Sequence, residues 1–165
     1  MPPDGRGGPH AFVADVDEPG LTEDDRHHLA NVLRLRSGDA LTVSDGLGTW
    51  RPCLFGAVLE PCGDPINVPM AASEVAVGFA LIKGGRPEVV VQKLTELGVD
   101  RIVLLSAERS IVRWEPDKER HQMDRLGRVA REASMQSRRV RLPVLEGLTS
   151  VASVGAVSAP PLAAR

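Results

Sequence analysis

The sequence has no tyrosine, only three Phe and two Trp, and only two cysteines. So few aromatics exclude a broad stacking platform for single-stranded nucleic acid, and the core must come from Val, Leu, Ile and Ala. With just Cys53 and Cys62, nine residues apart and without a CxxC spacing, a disulfide scaffold is excluded. Both thiols are expected to be reduced and partly buried. His27 and His28 are adjacent, so on a helix they point in different directions and make a poor metal pair. No metal is expected. Long apolar runs are missing as well: the strongest, residues 75–82, falls far short of the roughly 20 needed to span a bilayer. The N-terminus lacks an apolar signal core, so a cytoplasmic protein with no membrane partner is expected.

What is present divides by charge. Residues 1–72 hold five Lys and Arg against eleven Asp and Glu, a balance of −6, whereas residues 73–165 hold fifteen against eleven, a balance of +4. The change of sign coincides with a Pro- and Gly-rich stretch at 61–73, which predicts two domains, 1–72 and 73–165.

The first domain reads as mostly β. A short strand is expected at 12–16, and a helix at 22–35 with Thr22 as N-cap, three acids in its first turn, and Leu29, Val32 and Leu33 at helical spacing. Strands at 40–44, 50–55 and 57–59 follow around an Asp45-Gly46 turn, which describes a compact antiparallel sheet or barrel. The second domain alternates strand and helix. An apolar strand at 75–82, of the kind buried on both faces, precedes the turn Lys83-Gly84-Gly85-Arg86. A helix then starts at Pro87, shows a face of Val90, Val91, Leu94 and Leu97, and stops at Gly98. A second buried strand is expected at 101–105, a long helix at about 117–138 with Leu126, Val129, Ala130, Ala133 and Gln136 on one face, and a third strand at 140–145. This order implies a parallel α/β sheet.

Three features carry candidate chemistry. Residues 113–141 contain nine Lys and Arg against five acids, enough to neutralise phosphates, with a solvated helix face as the competing reading. Its sharpest part is Arg138-Arg139-Val140-Arg141, where cations also favour a helix C-terminus. The Lys83–Arg86 turn could receive a phosphate at a helix start, although it matches no phosphate-binding fingerprint. Glu96, Glu108 and Glu132 are isolated carboxylates, and no triad or paired-acid spacing supports catalysis.

Three segments together resemble one family: HHLANVLRLRSGDALTVSDGLG, then ALIKGGRPEVVVQKLTELGVDRIVLLSAERSIVRW, then REASMQSRRVRLPVLEG. They are similar to the RsmE family of small-subunit ribosomal RNA methyltransferases, of the SPOUT superfamily, from about Phe12 to Gly147. The resemblance implies an α+β two-domain fold, with an N-terminal PUA-like β-barrel that helps to hold RNA. An α/β domain with a trefoil knot, binding S-adenosylmethionine, would follow. It further implies a homodimer that methylates N3 of one uridine in small-subunit rRNA. Positioning would carry much of that chemistry, since N3 must lose its proton and lie in line with the donated methyl. On this reading Arg34, Lys83, Arg109, Arg138 and Arg139 contact RNA or shape its site. Glu96, Glu132 and Gln136 also fall on motif positions, as candidates for active-site support beside a plainly structural role. The family's Gly-Pro-Glu-Gly-Gly cofactor loop does not occur in the 165 residues. The chain is therefore expected to be C-terminally truncated, with an incomplete SPOUT domain that lacks the knot and the cofactor site. The alternative is a non-catalytic RNA-binding protein that keeps only the barrel and the basic helix.

Overall fold

A computed structural model describes residues 2–81, 86–106 and 114–150. The chain divides into two units. One comprises the residues up to Ser73 with Ala130–Leu142, the other Glu74–Val129 with the residues from Pro143 onward.

In the first unit a five-stranded sheet is built from β1 (His10–Phe12), β2 (Ala40–Ser44), β3 (Thr49–Leu54), β4 (Glu60–Pro61) and β5 (Ile66–Asn67). β2 and β3 form the antiparallel hairpin expected around Asp45-Gly46, with Ser44 opposite Trp50. β1 corrects the all-antiparallel reading, because it pairs parallel to β2, with Ala11 beside Val43. It also starts earlier than expected, at a buried His10, a polar residue that apolar patterning passes over. The strand expected at 57–59 forms instead at Glu60–Pro61, since Leu59 is drawn into the core while Ala57 and Val58 stay exposed.

Helix α1 (Glu23–His27) starts where the sequence placed it. The Thr22 hydroxyl accepts the Asp25 amide at 3.1 Å and donates to the Asp25 carboxylate at 2.7 Å, satisfying an otherwise orphaned N–H. A π-helical turn (His28–Val32) continues it, closed by the Leu33 amide on the His28 carbonyl. The extra residue per turn leaves Leu29 fully buried but turns Val32 and Leu33 outward, contrary to the expected apolar face. The core gathers Ala11, Val13, Val16, Leu29, Leu41, Val43, Cys53, Phe55 and Leu59, with Met135 packed against it. Both cysteines are free. Burial raises the Cys53 thiol to about 11, whereas Cys62 is exposed rather than partly buried.

The described residues of the second unit form three parallel strands in the order β6 (Ala76–Ala80), β7 (Arg101–Ser106), β8 (Val144–Ser150). The third strand thus exists, displaced from 140–145. Helix α2 (Pro87–Glu96) follows β6 in the chain, and α3 (Pro116–Gln136) follows β7. The division between units falls inside α3, between Val129 and Ala130. Of these three described strands only β7, the middle one, is apolar and buried on both faces, through Ile102, Val103 and Leu104. β6 does not meet that expectation: it lies at the edge of the sheet formed by the described residues, and its own residues alternate between exposed and half-buried. The strands are tied at one end by Arg101, whose guanidinium bonds Glu74 at 2.9 Å and also Glu146.

α2 ends as a Schellman motif. Gly98, at φ 89°, donates to Thr95 and Val99 donates to Leu94. Its buried side is Val91 and Thr95, so Val90 is open and Leu97 is 79% exposed, against the face expected from the sequence. On α3, Leu126, Ala130 and Ala133 are buried as expected, Ser134 joins them, and Gln136 faces solvent.

Candidate nucleic-acid interface

Among the described residues only two non-glycines have positive φ, Arg34 at 59° and Arg138 at 55°. Each follows the end of a helical segment, in the left-handed position that glycine usually fills. Arg34 succeeds Leu33, the cap of the π-helical turn, and the next amide, Leu35, reaches back to the Leu29 carbonyl at 3.0 Å. Its side chain is exposed and makes no hydrogen bond or ion pair among the described residues. Arg138 closes α3 as Gly98 closes α2, with its own amide on Met135 and the Arg139 amide on Ser134 at 2.9 Å. A left-handed arginine costs roughly 1 kcal/mol relative to glycine. Such strain persists where the surroundings over-determine it, and it is concentrated at functional positions.

At Arg138 the surroundings are visible. Its guanidinium donates to the Gly8 carbonyl. Gly8 is itself irreplaceable at φ 77°, because a Cβ there would run into the Ala40 carbonyl. Residues 138–142 continue as a strap across the first unit. Ser44 Oγ donates to the Val140 carbonyl at 2.9 Å and the Leu142 amide to the Gly46 carbonyl at 3.0 Å. Arg141 donates to the carbonyls of Leu47 and, at 2.8 Å, Val68. Arg139 is half-buried in the same strap.

Carbonyl oxygens hold a guanidinium in place without cancelling its charge. Among the described residues, Arg34, Arg138 and Arg141 have no carboxylate partner.

Three other members of the basic run are paired with acids, in keeping with the competing reading for that part of the run. Arg120 pairs with Asp117 and Arg125 with Glu88. Arg131 forms a fork on Asp25, at 2.8 and 2.6 Å, donates to the Phe12 carbonyl at 3.2 Å, and lies over the Phe12 ring. Burial alone would raise the Asp25 carboxyl, but hydrogen bonds from Arg131 and Thr22 outweigh it and hold the group below its ordinary value.

His10 lies beneath the strap. It is 2% exposed, with Nδ1 2.8 Å from Thr42 Oγ1 and its ring edge-on to Phe12. Burial pushes its pKa down to about 4; the Arg138 charge acts in the same direction, and the backbone of Arg139 only partly opposes them.

The carboxylate candidates are arranged differently. Glu96 bonds Lys93 at 2.7 Å and Gln92 at 2.9 Å on α2, and those two bonds, that of Lys93 first, hold it below its ordinary value. A general base poised near neutrality needs the opposite shift. Glu132 and Gln136 are exposed on α3 without a side-chain partner among the described residues. Lys83, Arg109 and Glu108 lie outside the described residues. Sequence reasoning missed His10, Gly8 and the Asp25–Arg131 pair, for which no local signal exists. It noted Arg141 in the basic run but did not select it.

No group of three His, Cys, Asp or Glu among the described residues could hold a metal, and none of the described helices is long and apolar enough to cross a membrane. In α/β sheets ligands bind beyond the carboxyl ends of the strands. There the described residues end in Ala80, Leu81, Ser106 and Ser150, whose side chains offer two hydroxyls and no charge.

Comparison with known proteins bears on both units. A family model described as RNA methyltransferase domain matches residues 69–158, and one described as RNA methyltransferase PUA domain matches residues 21–54. Ribosomal RNA small subunit methyltransferase E of Mycobacterium tuberculosis is 31% identical over 132 residues, covering 77% of this chain and 50% of its own. The Bacillus subtilis protein of the same name is 28% identical, with 74% and 50% covered. The chain thus spans about half the length of these curated relatives. Among solved structures, a probable rRNA-methyltransferase from Porphyromonas gingivalis superposes with a TM-score of 0.72 at 25% identity, over 92% of this chain and 64% of that one. The Neisseria gonorrhoeae methyltransferase E, bound to S-adenosyl methionine, gives 0.74 at 21% identity, over 93% and 66%. The latter likeness is one of fold.

Proposed function

Because the chain belongs to the RNA methyltransferase family represented by the RsmE proteins, we propose that it serves S-adenosylmethionine-dependent methylation of N3 of a uridine in small-subunit rRNA. In this reading the PUA-like part, residues 1–72, and the strap of residues 138–141 hold the RNA. Residues from 73 onward supply the α/β half of a cytoplasmic, homodimeric enzyme. The donor, when bound, supplies the methyl group. The described residues act on the other reactant by gripping its phosphates.

The observation that carries this reading is the placement of Arg34 and Arg138. Both stand at strained left-handed helix ends, and no carboxylate among the described residues neutralises either. The Arg138 guanidinium, held on the Gly8 carbonyl, favours a phosphate contact and loses little freedom on binding, and the exposed Arg34 guanidinium is open to a second one. Lys83 and Arg109 extend the same proposed RNA contact, with Glu96, Glu132 and Gln136 in supporting positions on α2 and α3.

Two measurements test this. Fluorescence anisotropy with a labelled small-subunit rRNA fragment is expected to show binding that weakens linearly on a log–log plot against salt. Arg34→Ala should reduce the slope by about 0.7–0.9, one phosphate contact. Salt-independent binding would count against the grip. For the chemistry, a methyl on N3 blocks the Watson–Crick edge and stops reverse transcription at that uridine. Deleting the gene is expected to remove one such stop from the small-subunit rRNA, and an unchanged pattern would refute the specificity.

A further inference from the structure

The turn joining β2 to β3 presents Leu47 with 74% of its surface exposed. A lone surface leucine needs no explanation, but this one stands on an unusually constrained backbone. Asp45 Oδ1 accepts the amides of Leu47 at 2.7 Å, Gly48 at 3.0 Å and Thr49 at 3.0 Å. Ser44 Oγ accepts the Gly46 amide at 3.1 Å, and the strap closes the other side through Leu142 on Gly46 and Arg141 on the Leu47 carbonyl. Gly46 and Gly48 supply the positive φ angles, 74° and 117°, that bring so many amides onto one carboxylate oxygen. The conformational cost of presenting an apolar side chain is therefore met within the fold itself. Beside it, Arg141 keeps a charge that no described carboxylate cancels.

From this juxtaposition we infer that Leu47 is a base-contacting wedge, which packs against an unstacked base of an unpaired RNA segment while the strap arginines meet the flanking phosphates. The inference rests on the proposed RNA-binding function and goes beyond it by naming the element that reads unpaired bases. The Phe and Trp rings of the unit are withdrawn from such a contact: Phe12 and Phe55 are buried, and Trp50 is half-buried in β3. An apolar wedge between bases does what a stacking aromatic does elsewhere. A duplex would keep its bases stacked away from the turn, so the fitting partner is a loop or single strand.

The test uses a small-subunit rRNA loop fragment with 2-aminopurine in the loop, titrated with the whole chain. Wild-type protein is expected to raise the 2-aminopurine fluorescence as the base unstacks. Leu47→Ser should abolish that rise and weaken binding about tenfold, the loss of one apolar contact, with the salt slope unchanged. Leu47→Met should retain both. Because Leu47 is exposed, these variants keep the fold, which circular dichroism would verify. If wild-type protein shows no salt-dependent RNA binding, the proposed function fails and the wedge with it. If it binds, and Leu47→Ser matches it in affinity and fluorescence, the wedge alone is overturned. A Leu47→Ser variant that changes only the self-association mass would equally overturn it.

Discussion

Lowering the pH from about 7.5 to about 5 should destabilise the first unit by about 2 kcal/mol through His10 alone. His10 is held in its neutral form in the fold, with burial lowering its pKa to about 4 from an ordinary value of 6.5. The folded value lies below the unfolded one, so between those two values the unfolded chain holds a proton that the folded chain does not. Stability is complete above the ordinary value and is lost as the pH falls through the window. At one pKa unit per 1.36 kcal/mol, the part of the window crossed by about pH 5 amounts to about 2 kcal/mol. Asp25 adds nothing there, since its carboxyl sits below its ordinary value and titrates at lower pH. Equilibrium urea unfolding in a Trp114→Phe background, followed by Trp50 fluorescence at the two pH values, measures the difference. His10→Gln, which cannot take up the proton, is expected to lose stability at about pH 7.5 and to show little further loss at about pH 5. Equal wild-type stability at both pH values would refute the reasoning, as would an equal pH-dependent loss in His10→Gln.

Other consequences are more local. Arg131→Ala strands a buried carboxylate, so the unfolding midpoint should drop by the equivalent of about 3 kcal/mol, with part recovered on adding Asp25→Asn. Gly8→Ala forces a Cβ against the Ala40 carbonyl at a positive φ and should cost about 2 kcal/mol or more, read by thermal melts. Arg138→Gly relieves the left-handed strain but loses the bond to the Gly8 carbonyl, so stability should change by less than about 1 kcal/mol while rRNA affinity falls in anisotropy titrations.

Much of the fold was legible wherever short-range rules decide it. The Thr22 cap, strand β2 and the Gly98 stop of α2 follow from side-chain chemistry within a few residues, and all three stand where expected. Longer-range features were not legible. The parallel pairing of β1 with β2 joins residues some thirty positions apart, and the Asp25–Arg131 pair spans 106 positions. Neither leaves a local pattern. The expected burial of β6 failed for a related reason: an apolar run cannot tell a central strand from an edge strand. At the candidate interface, the motif resemblance pointed to Arg34 and Arg138, but not to their backbone. Glycine marks a left-handed helix end in a sequence, and an arginine in that role is visible only in the structure.

The most direct test of an RNA grip built from the helix-end arginines is photo-crosslinking of this chain to small-subunit rRNA carrying 4-thiouridine, with the crosslinked peptides identified by mass spectrometry. The account predicts crosslinks in peptides containing Arg34 and in the 138–141 strap, lost on competition with unlabelled rRNA and reduced by salt. Crosslinks confined to the exposed face of α3 or to β6, or none at low salt, would contradict it.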